Sequence, residues 1–271
     1  MRDMARNITT IFKREFLAYF NSPIAYIFVI VFLLVNSGLF SANFFLVGRA
    51  EMRYFFILLP ITLAVFLPAV TMRMWAEERR AGTIGLLLSL PVRNFELVIG
   101  KFKAAFSFYL IALASTVFIP IVVALAGDPD WGPIICGYLS ACMLGALFLS
   151  AGLFISALFK DQILAFIIAM VVCFGLYLVG TDLVAMQLDG WTGGLGTAIK
   201  DLIGLAGRLE ALERGVIDLG DVIYFIVFTA AFLTLNVYAL ESRIRMRGAK
   251  IFPAAPGFRA IPSTAAEMAR D

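Results

Sequence analysis

The chain has 271 residues, 62% of them hydrophobic and only 15% charged, with a mean hydropathy of +0.94. Soluble domains are roughly half apolar, so this composition excludes a water-soluble enzyme. The net charge of +3 reflects basic residues placed where anionic lipid attracts them, and it argues against a nucleic-acid partner.

Residues 4–20 carry Ile8, Phe12, Phe16 and Tyr19 on one helical face and Arg6, Lys13 and Arg14 on the other. This pattern predicts an interfacial helix lying along the cytoplasmic leaflet. Glu15 falls inside the apolar stripe beside Phe16 and needs a basic partner. Asn21, Ser22 and Pro23 break the helix, and proline suits the first turn of the next.

A spanning helix needs roughly 20 mostly uncharged residues. Windows at about 24–45, 54–72, 104–126, 134–159, 163–180 and 222–240 meet that length without a charged side chain. Lipid satisfies no open backbone group, and unbroken apolar runs lack barrel alternation, so these windows predict transmembrane helices. With the N-terminus inside, only Arg49, Arg53, Lys200, Arg208 and Arg214 of all the basic residues fall outside. The expected placement is a bacterial inner membrane with both termini cytoplasmic. Arg6, Lys13, Arg14 and Glu15 interrupt the first twenty residues, so no cleaved signal peptide is expected.

Between the second and third spans, 84–90 is apolar but too short to cross a bilayer. Thr83 can cap its start and Pro91 stops its continuation, predicting a two-turn cytoplasmic helix whose Leu86, Leu87, Leu88 and Leu90 need a partner outside a monomer. Residues 127–133 read as a tight external turn, and Lys160, Asp161 and Gln162 as the tip of an antiparallel hairpin. The large external connection, 181–221, has a glycine-rich turn (Gly190, Gly193, Gly194, Gly196) leading into Leu195, Ile199, Leu202, Ala206 and Leu209 at helical spacing. It predicts one amphipathic helix on the outer mouth. Asp218 or Asp221 can cap the last span. Residues 1–248 are expected to form a single transmembrane domain, and 249–271, rich in Pro and Ala, a disordered cytoplasmic tail.

The chain contains no histidine, which removes serine-dyad and zinc hydrolysis, and it lacks the Walker pattern of a nucleotide-hydrolysing loop. No catalytic or metal-binding residues and no resident cofactor are expected. Cys136, Cys142 and Cys173 lie in predicted spans as small packing residues. Met170 with Cys173, and Cys142 with Met143, offer soft donors but lack a clear third ligand. Asn36, Asn43, Thr62, Ser115, Thr116, Ser150, Ser156, Thr234 and Asn236 either line a path or, more commonly, form interhelical hydrogen bonds. Pro60, Pro68 and Pro120 mark bends, either hinged or static.

The runs Pro68-Ala69-Val70-Thr71-Met72-Arg73, Glu77-Glu78-Arg79-Arg80-Ala81-Gly82-Thr83-Ile84-Gly85-Leu86-Leu87-Leu88-Ser89-Leu90-Pro91 and Gly100-Lys101-Phe102 resemble the signature of ABC-2 type permeases, the membrane subunits of ATP-binding cassette exporters. Asn21 to Tyr26, Asp161 to Ile167 and Arg214 to Asp218 are similar to the gliding-motility-type subgroup. Gly85 departs from the family's usual Glu, and Gly220 from its common Arg.

The resemblance implies a type V exporter-like, all-α membrane protein: six transmembrane helices, an N-terminal interfacial helix (with Phe12, Lys13, Arg14, Glu15 and Phe16), a cytoplasmic coupling helix and an external amphipathic helix before the last span. It implies that the segment after Gly82 and Thr83 is the coupling helix, whose Leu86, Leu87, Leu88 and Leu90, up to Pro91, dock into a groove of a separate ABC ATPase. Glu77, Glu78, Arg79 and Arg80 would sit at the rim as charged register pins. ATP and Mg belong to that ATPase. A second permease chain, identical or related, would complete the path, and an auxiliary membrane or periplasmic protein is a further candidate partner. The expected function is the permease subunit of an exporter. The alternative is an ATP-driven mechanotransmitter acting through residues 181–221 without solute transport, and an ion-coupled carrier is a third reading.

Overall fold

A computed structural model describes residues 2–47, 51–83, 92–192 and 194–251, and these are helical throughout their regular structure. The chain order is α1 (Arg2–Phe20), α2 (Pro23–Val47), α3 (Arg53–Thr71), α4 (Arg73–Arg80), α5 (Asn94–Ala114), a 3₁₀ turn (Ser115–Val117), α6 (Phe118–Ala126), α7 (Trp131–Leu158), α8 (Gln162–Val179), α9 (Asp182–Thr192), α10 (Leu195–Ile203), α11 (Ala206–Glu213) and α12 (Leu219–Ile251). Among the described residues, six stretches are long and apolar enough to cross a membrane: Ala25–Phe44, Arg53–Arg80, Asn94–Ala126, Trp131–Leu158, Gln162–Val179 and Leu219–Ser242. Each overlaps one of the six expected windows.

Helix α7 is the hub, packing against α3, α4, α5, α8, α11 and α12. Its glycines let neighbours approach: a Cβ at Gly137 would lie 2.5 Å from the Phe56 ring, and one at Gly145 or Gly152 would collide with the Tyr109 ring or with Thr71 Oγ1. In lipid, where apolar burial alone drives helices together weakly, such small-residue contact supplies much of the association. Of the polar residues read in the spans, Asn36, Thr62, Thr116 and Ser156 bond across helices, whereas Ser115, Ser150 and Thr234 bond carbonyls three or four residues earlier and Asn236 is buried with neither amide atom paired among the described residues. Thr62 Oγ1 donates to Asn36 Oδ1 at 3.0 Å, Tyr109 Oη to the Ala141 carbonyl at 2.8 Å, and Thr116 and Tyr138 share a 3.0 Å contact. Aspartates cap helix starts: Asp130 Oδ1 accepts from Gly132 N at 3.0 Å and Asp161 Oδ1 from Ile163 N at 2.9 Å. For the last span the cap is Asp218, accepting from Gly220 N at 2.9 Å.

Three boundaries differ from expectation. The third span starts at Asn94 rather than near residue 104, because Glu96 and Lys101, which an apolar-window criterion rejects, are buried and paired inside the fold. Helix α12 continues to Ile251, past the expected start of the tail; residues 252–271 lie outside the described residues. The expected single external helix is replaced by α9, α10 and α11. Gly190 lies within α9, so the glycine-rich turn is shorter than expected; Gly194 has φ +118° and turns the chain into α10. Asp189 Oδ1 then accepts from Gly196 N at 2.6 Å and Thr197 N at 3.1 Å. Between α10 and α11, a Cβ on Gly204 would lie 2.7 Å from Gly180 Cα, so the chain breaks where two backbones touch. Leu205, Leu209 and Leu212 then seat α11 in the core.

Arg208 clamps this cap to the bundle. Its Nη1 donates to Asp221 Oδ1 at 2.8 Å and its guanidinium lies 4.3 Å from the Tyr224 ring centroid.

Candidate functional site

The site lies at the end of the bundle where α1, α4 and the start of α5 meet. It begins with a bend. Pro60 and Pro68 lie inside α3, and α3 gives way to α4 at Met72, where Ser156 of α7 enters the backbone ladder. Its hydroxyl accepts from Trp75 N at 3.2 Å and Ala76 N at 3.3 Å, and donates to the Met72 carbonyl at 3.1 Å. A side chain inserted into the ladder is a recognised cause of a kink, and here it marks the junction where α3 ends and the charged α4 begins.

Helix α4 is then fixed by Lys101. Only 1% of this side chain is exposed, yet its Nζ lies 2.9 Å from Glu78 Oε1 and 3.2 Å from Glu15 Oε1. It also donates to the Met74 carbonyl at 2.9 Å and lies 4.8 Å from the Trp75 ring centroid. Arg14 adds a 2.7 Å pair to Glu15. A buried ammonium is tolerated only with such partners. Burial alone would push the Glu15 carboxyl up, but Lys101 and Arg14 outweigh it and hold it below the usual carboxylate range. Glu15 thus has the basic partner its sequence position requires.

Helix α1 packs along α5. A Cβ at Gly100 would lie 2.6 Å from Ile11 Cγ2; Asn7 Nδ2 donates to Glu96 Oε2 at 3.0 Å, and Tyr19 stacks on Phe108 with centroids 4.9 Å apart. Phe12 and Phe16 stack at 5.4 Å, while Lys13 and Arg14 are exposed. The amphipathic pattern read from the sequence therefore covers α5 as well as any lipid surface.

The four charged residues expected at the rim separate. Glu77 and Arg80 are exposed. Glu78 turns inward to Lys101, and Arg79 Nη1 donates to the Ala157 carbonyl at 2.8 Å. Their separation has a simple cause: on a helix, 78 and 79 face the bundle when Trp75 and Ala76 do. Gly82 has φ +74°, a conformation that suits glycine, and turns the chain after α4. Thr83 Oγ1 donates to the Glu78 carbonyl at 3.3 Å, bonding backward to α4. Leu86, Leu87, Leu88, Leu90 and Pro91 lie outside the described residues. Sequence reasoning missed Lys101 and Ser156 as positioning residues; the signals available were a lysine directly after the apolar Leu97-Val98-Ile99-Gly100 run, and a serine level with the end of α3.

Six membrane-length helices around a glycine-lined hub, with a kinked charged extension at one end and a helical cap at the other, define a polytopic helical membrane protein. The chain belongs to the ABC-2 family transporter proteins, whose family model matches residues 35–193. It is accordingly the permease, the membrane-spanning component, of an ABC transporter, and its family implies an ABC ATPase as partner. No curated protein matches it at a significant level.

Proposed function

We propose that this chain couples ATP hydrolysis on a separate cytoplasmic ATPase to outward transport, with the α4 end docked on that ATPase. The observation that supports this reading is the mechanical continuity from α3 through the Ser156 kink into α4, held by Lys101 to α1 and α5. A push on the segment after Gly82 reaches α3 directly and α1 and α5 through one ammonium. Glu77, Arg80 and the leucines Leu86, Leu87, Leu88 and Leu90 form the docking surface, and Lys101, Glu15, Glu78 and Ser156 position it. A second permease chain completes the path, with both termini in the cytoplasm of a bacterial cell.

The test is co-expression with the cognate ATPase. Leu87→Asp with Leu88→Asp abolishes co-purification and membrane-stimulated ATPase activity, whereas unchanged stimulation contradicts the reading. A mechanotransmitting output uses the same docking and is favoured by the exposed apolar side chains Leu183, Met186 and Leu202 on the opposite cap, where a partner protein would bind.

A further inference from the structure

At the elbow between α1 and α2, a cavity of about 360 Å³ reaches from the charged α4 to the apolar start of α2. Its volume is within the range of small-ligand sites, roughly 300–1,000 Å³. That admits a lipid headgroup and the first part of its chains. One wall is apolar, formed by Ala25, Phe28, Val70 and Phe108. The other carries Arg73, Glu77 and Glu78.

The charges on that wall are unequally satisfied. Lys101 and Glu15, also at its edge, are engaged with each other. Arg73 has no carboxylate within ion-pair distance among the described residues, and its Nε is buried without a hydrogen-bond partner. Glu78 spends one oxygen on Lys101, but its Oε2 is buried and unpartnered. Glu77, one turn beyond Arg73, makes no ion pair among the described residues. Buried polar atoms in native folds find partners, and Arg73 and Glu78, which both line the cavity, each carry one that no protein group satisfies among the described residues. A purely anionic headgroup would meet Arg73 but also two carboxylates. A purely cationic one would meet those carboxylates but also Arg73. A zwitterion satisfies both: phosphate on Arg73, and an ammonium that donates to Glu77 and Glu78. Quaternary ammonium has no N–H to give a carboxylate, which favours a primary amine. Tyr26 and Ile27, exposed on α2 beside the cavity, place its mouth against acyl chains.

We propose that this cavity is a binding site for one phospholipid with a zwitterionic, primary-amine headgroup of the phosphatidylethanolamine type. The lipid fills the elbow between α1 and α2 and completes the polar wall of α4. The inference does not depend on the coupling role proposed above, and its test needs no ATPase.

The full-length protein is purified in detergent, stripped of lipid and titrated with short-chain phosphatidylethanolamine, phosphatidylglycerol, phosphatidylcholine or soluble phosphoethanolamine. Binding is followed by native mass spectrometry and by the thermal shift. The expected result is one phosphatidylethanolamine per chain, held at least tenfold more tightly than the other three. Arg73→Gln and, separately, the cavity-filling Ala25→Trp each weaken that binding at least tenfold while the unliganded protein still melts cooperatively. Equal affinity for phosphatidylglycerol or phosphatidylcholine would overturn the headgroup assignment. Equal affinity for soluble phosphoethanolamine would overturn the lipid assignment. Unaltered binding in both folded variants would remove the cavity as the site. Should either variant fail to fold, the wild-type titration decides alone.

Discussion

The ammonium of Lys101 sits 2.9 Å from Glu78 Oε1, tying α5 to α4 one turn past the kink. Because Glu15 shares the same ammonium at 3.2 Å, three helices separated in sequence converge on one nearly inaccessible charge. Removing it leaves both carboxylates only Arg14, at 2.7 Å from Glu15 and 3.7 Å from Glu78, and breaking a buried pair costs up to about 3–5 kcal/mol. Lys101→Met is therefore expected to destabilise the detergent-solubilised protein by that order. Adding Glu15→Gln and Glu78→Gln should recover most of the loss, read from denaturation midpoints in a mutant cycle.

The same cluster has an acid limit. Glu15 is held below its usual value of 4.5 in the folded protein, so its contribution is complete above that value and is lost as pH falls through the lower, folded one. Stability measured against pH should decline on the acid side of 4.5 in wild type. The decline should be shallower in Glu15→Gln.

A second titration belongs to the opposite end. Glu213 of α11 is 9% exposed, and burial, only partly offset by Arg53, pushes its carboxyl up to about 7. The folded state here prefers the protonated acid. Between the unperturbed value of 4.5 and about 7, folding binds a proton, so stability falls as pH rises through that window and levels off above it. At about 1.4 kcal/mol per unit, the loss is up to roughly 3 kcal/mol. Glu213→Gln should flatten the profile between these limits, and an unchanged slope would assign it elsewhere.

Ser156 supplies the bond partners that the kink takes from Trp75 and Ala76. Ser156→Ala removes an acceptor that two buried N–H groups share, at up to about 1–3 kcal/mol for each donor left unpaired. Hydrogen exchange at Trp75 and Ala76 should accelerate in the variant relative to Leu59 and Leu63 in the body of α3.

Glycine contacts give a matched comparison. Gly145 has the Tyr109 ring where a Cβ would stand, whereas Gly38 and Gly175 have nothing within 4 Å. Gly145→Ala should lower the melting temperature, by the about 1–3 kcal/mol typical of overpacking or more. Gly38→Ala and Gly175→Ala should leave it unchanged or raise it, since alanine is the better helix former by about 0.5–1 kcal/mol.

The spans were legible because each apolar run had to become a helix in lipid, and their ends because Pro23, Asp130, Asp161 and Asp218 carry turn or cap chemistry. Glu15 was legible as a residue in need of a cation. The identity of that cation was not, because Lys101 lies 86 positions away and looks like part of a charged loop until α1 covers it. For the same reason Glu78 and Arg79 read as surface charge: a run of four charged residues does not reveal which two face inward until Trp75 and Ala76 are seen buried. The split of the external helix depended on Gly204 meeting Gly180, a backbone contact across a turn that periodicity does not encode.

In the proposed coupling, the α4 end of this permease engages an ATPase through the residues following Gly82. Its most direct test is site-specific crosslinking from single cysteines at Leu87 or Leu88, in a cysteine-free background, to the co-expressed ATPase in intact membranes. Crosslinks are expected from both positions, each requiring the ATPase, and the crosslink from position 88, like membrane-stimulated ATP hydrolysis, is lost when Leu87→Asp is added. Labelling of those cysteines by an impermeant reagent applied from outside the cell, without any ATPase crosslink, would contradict it.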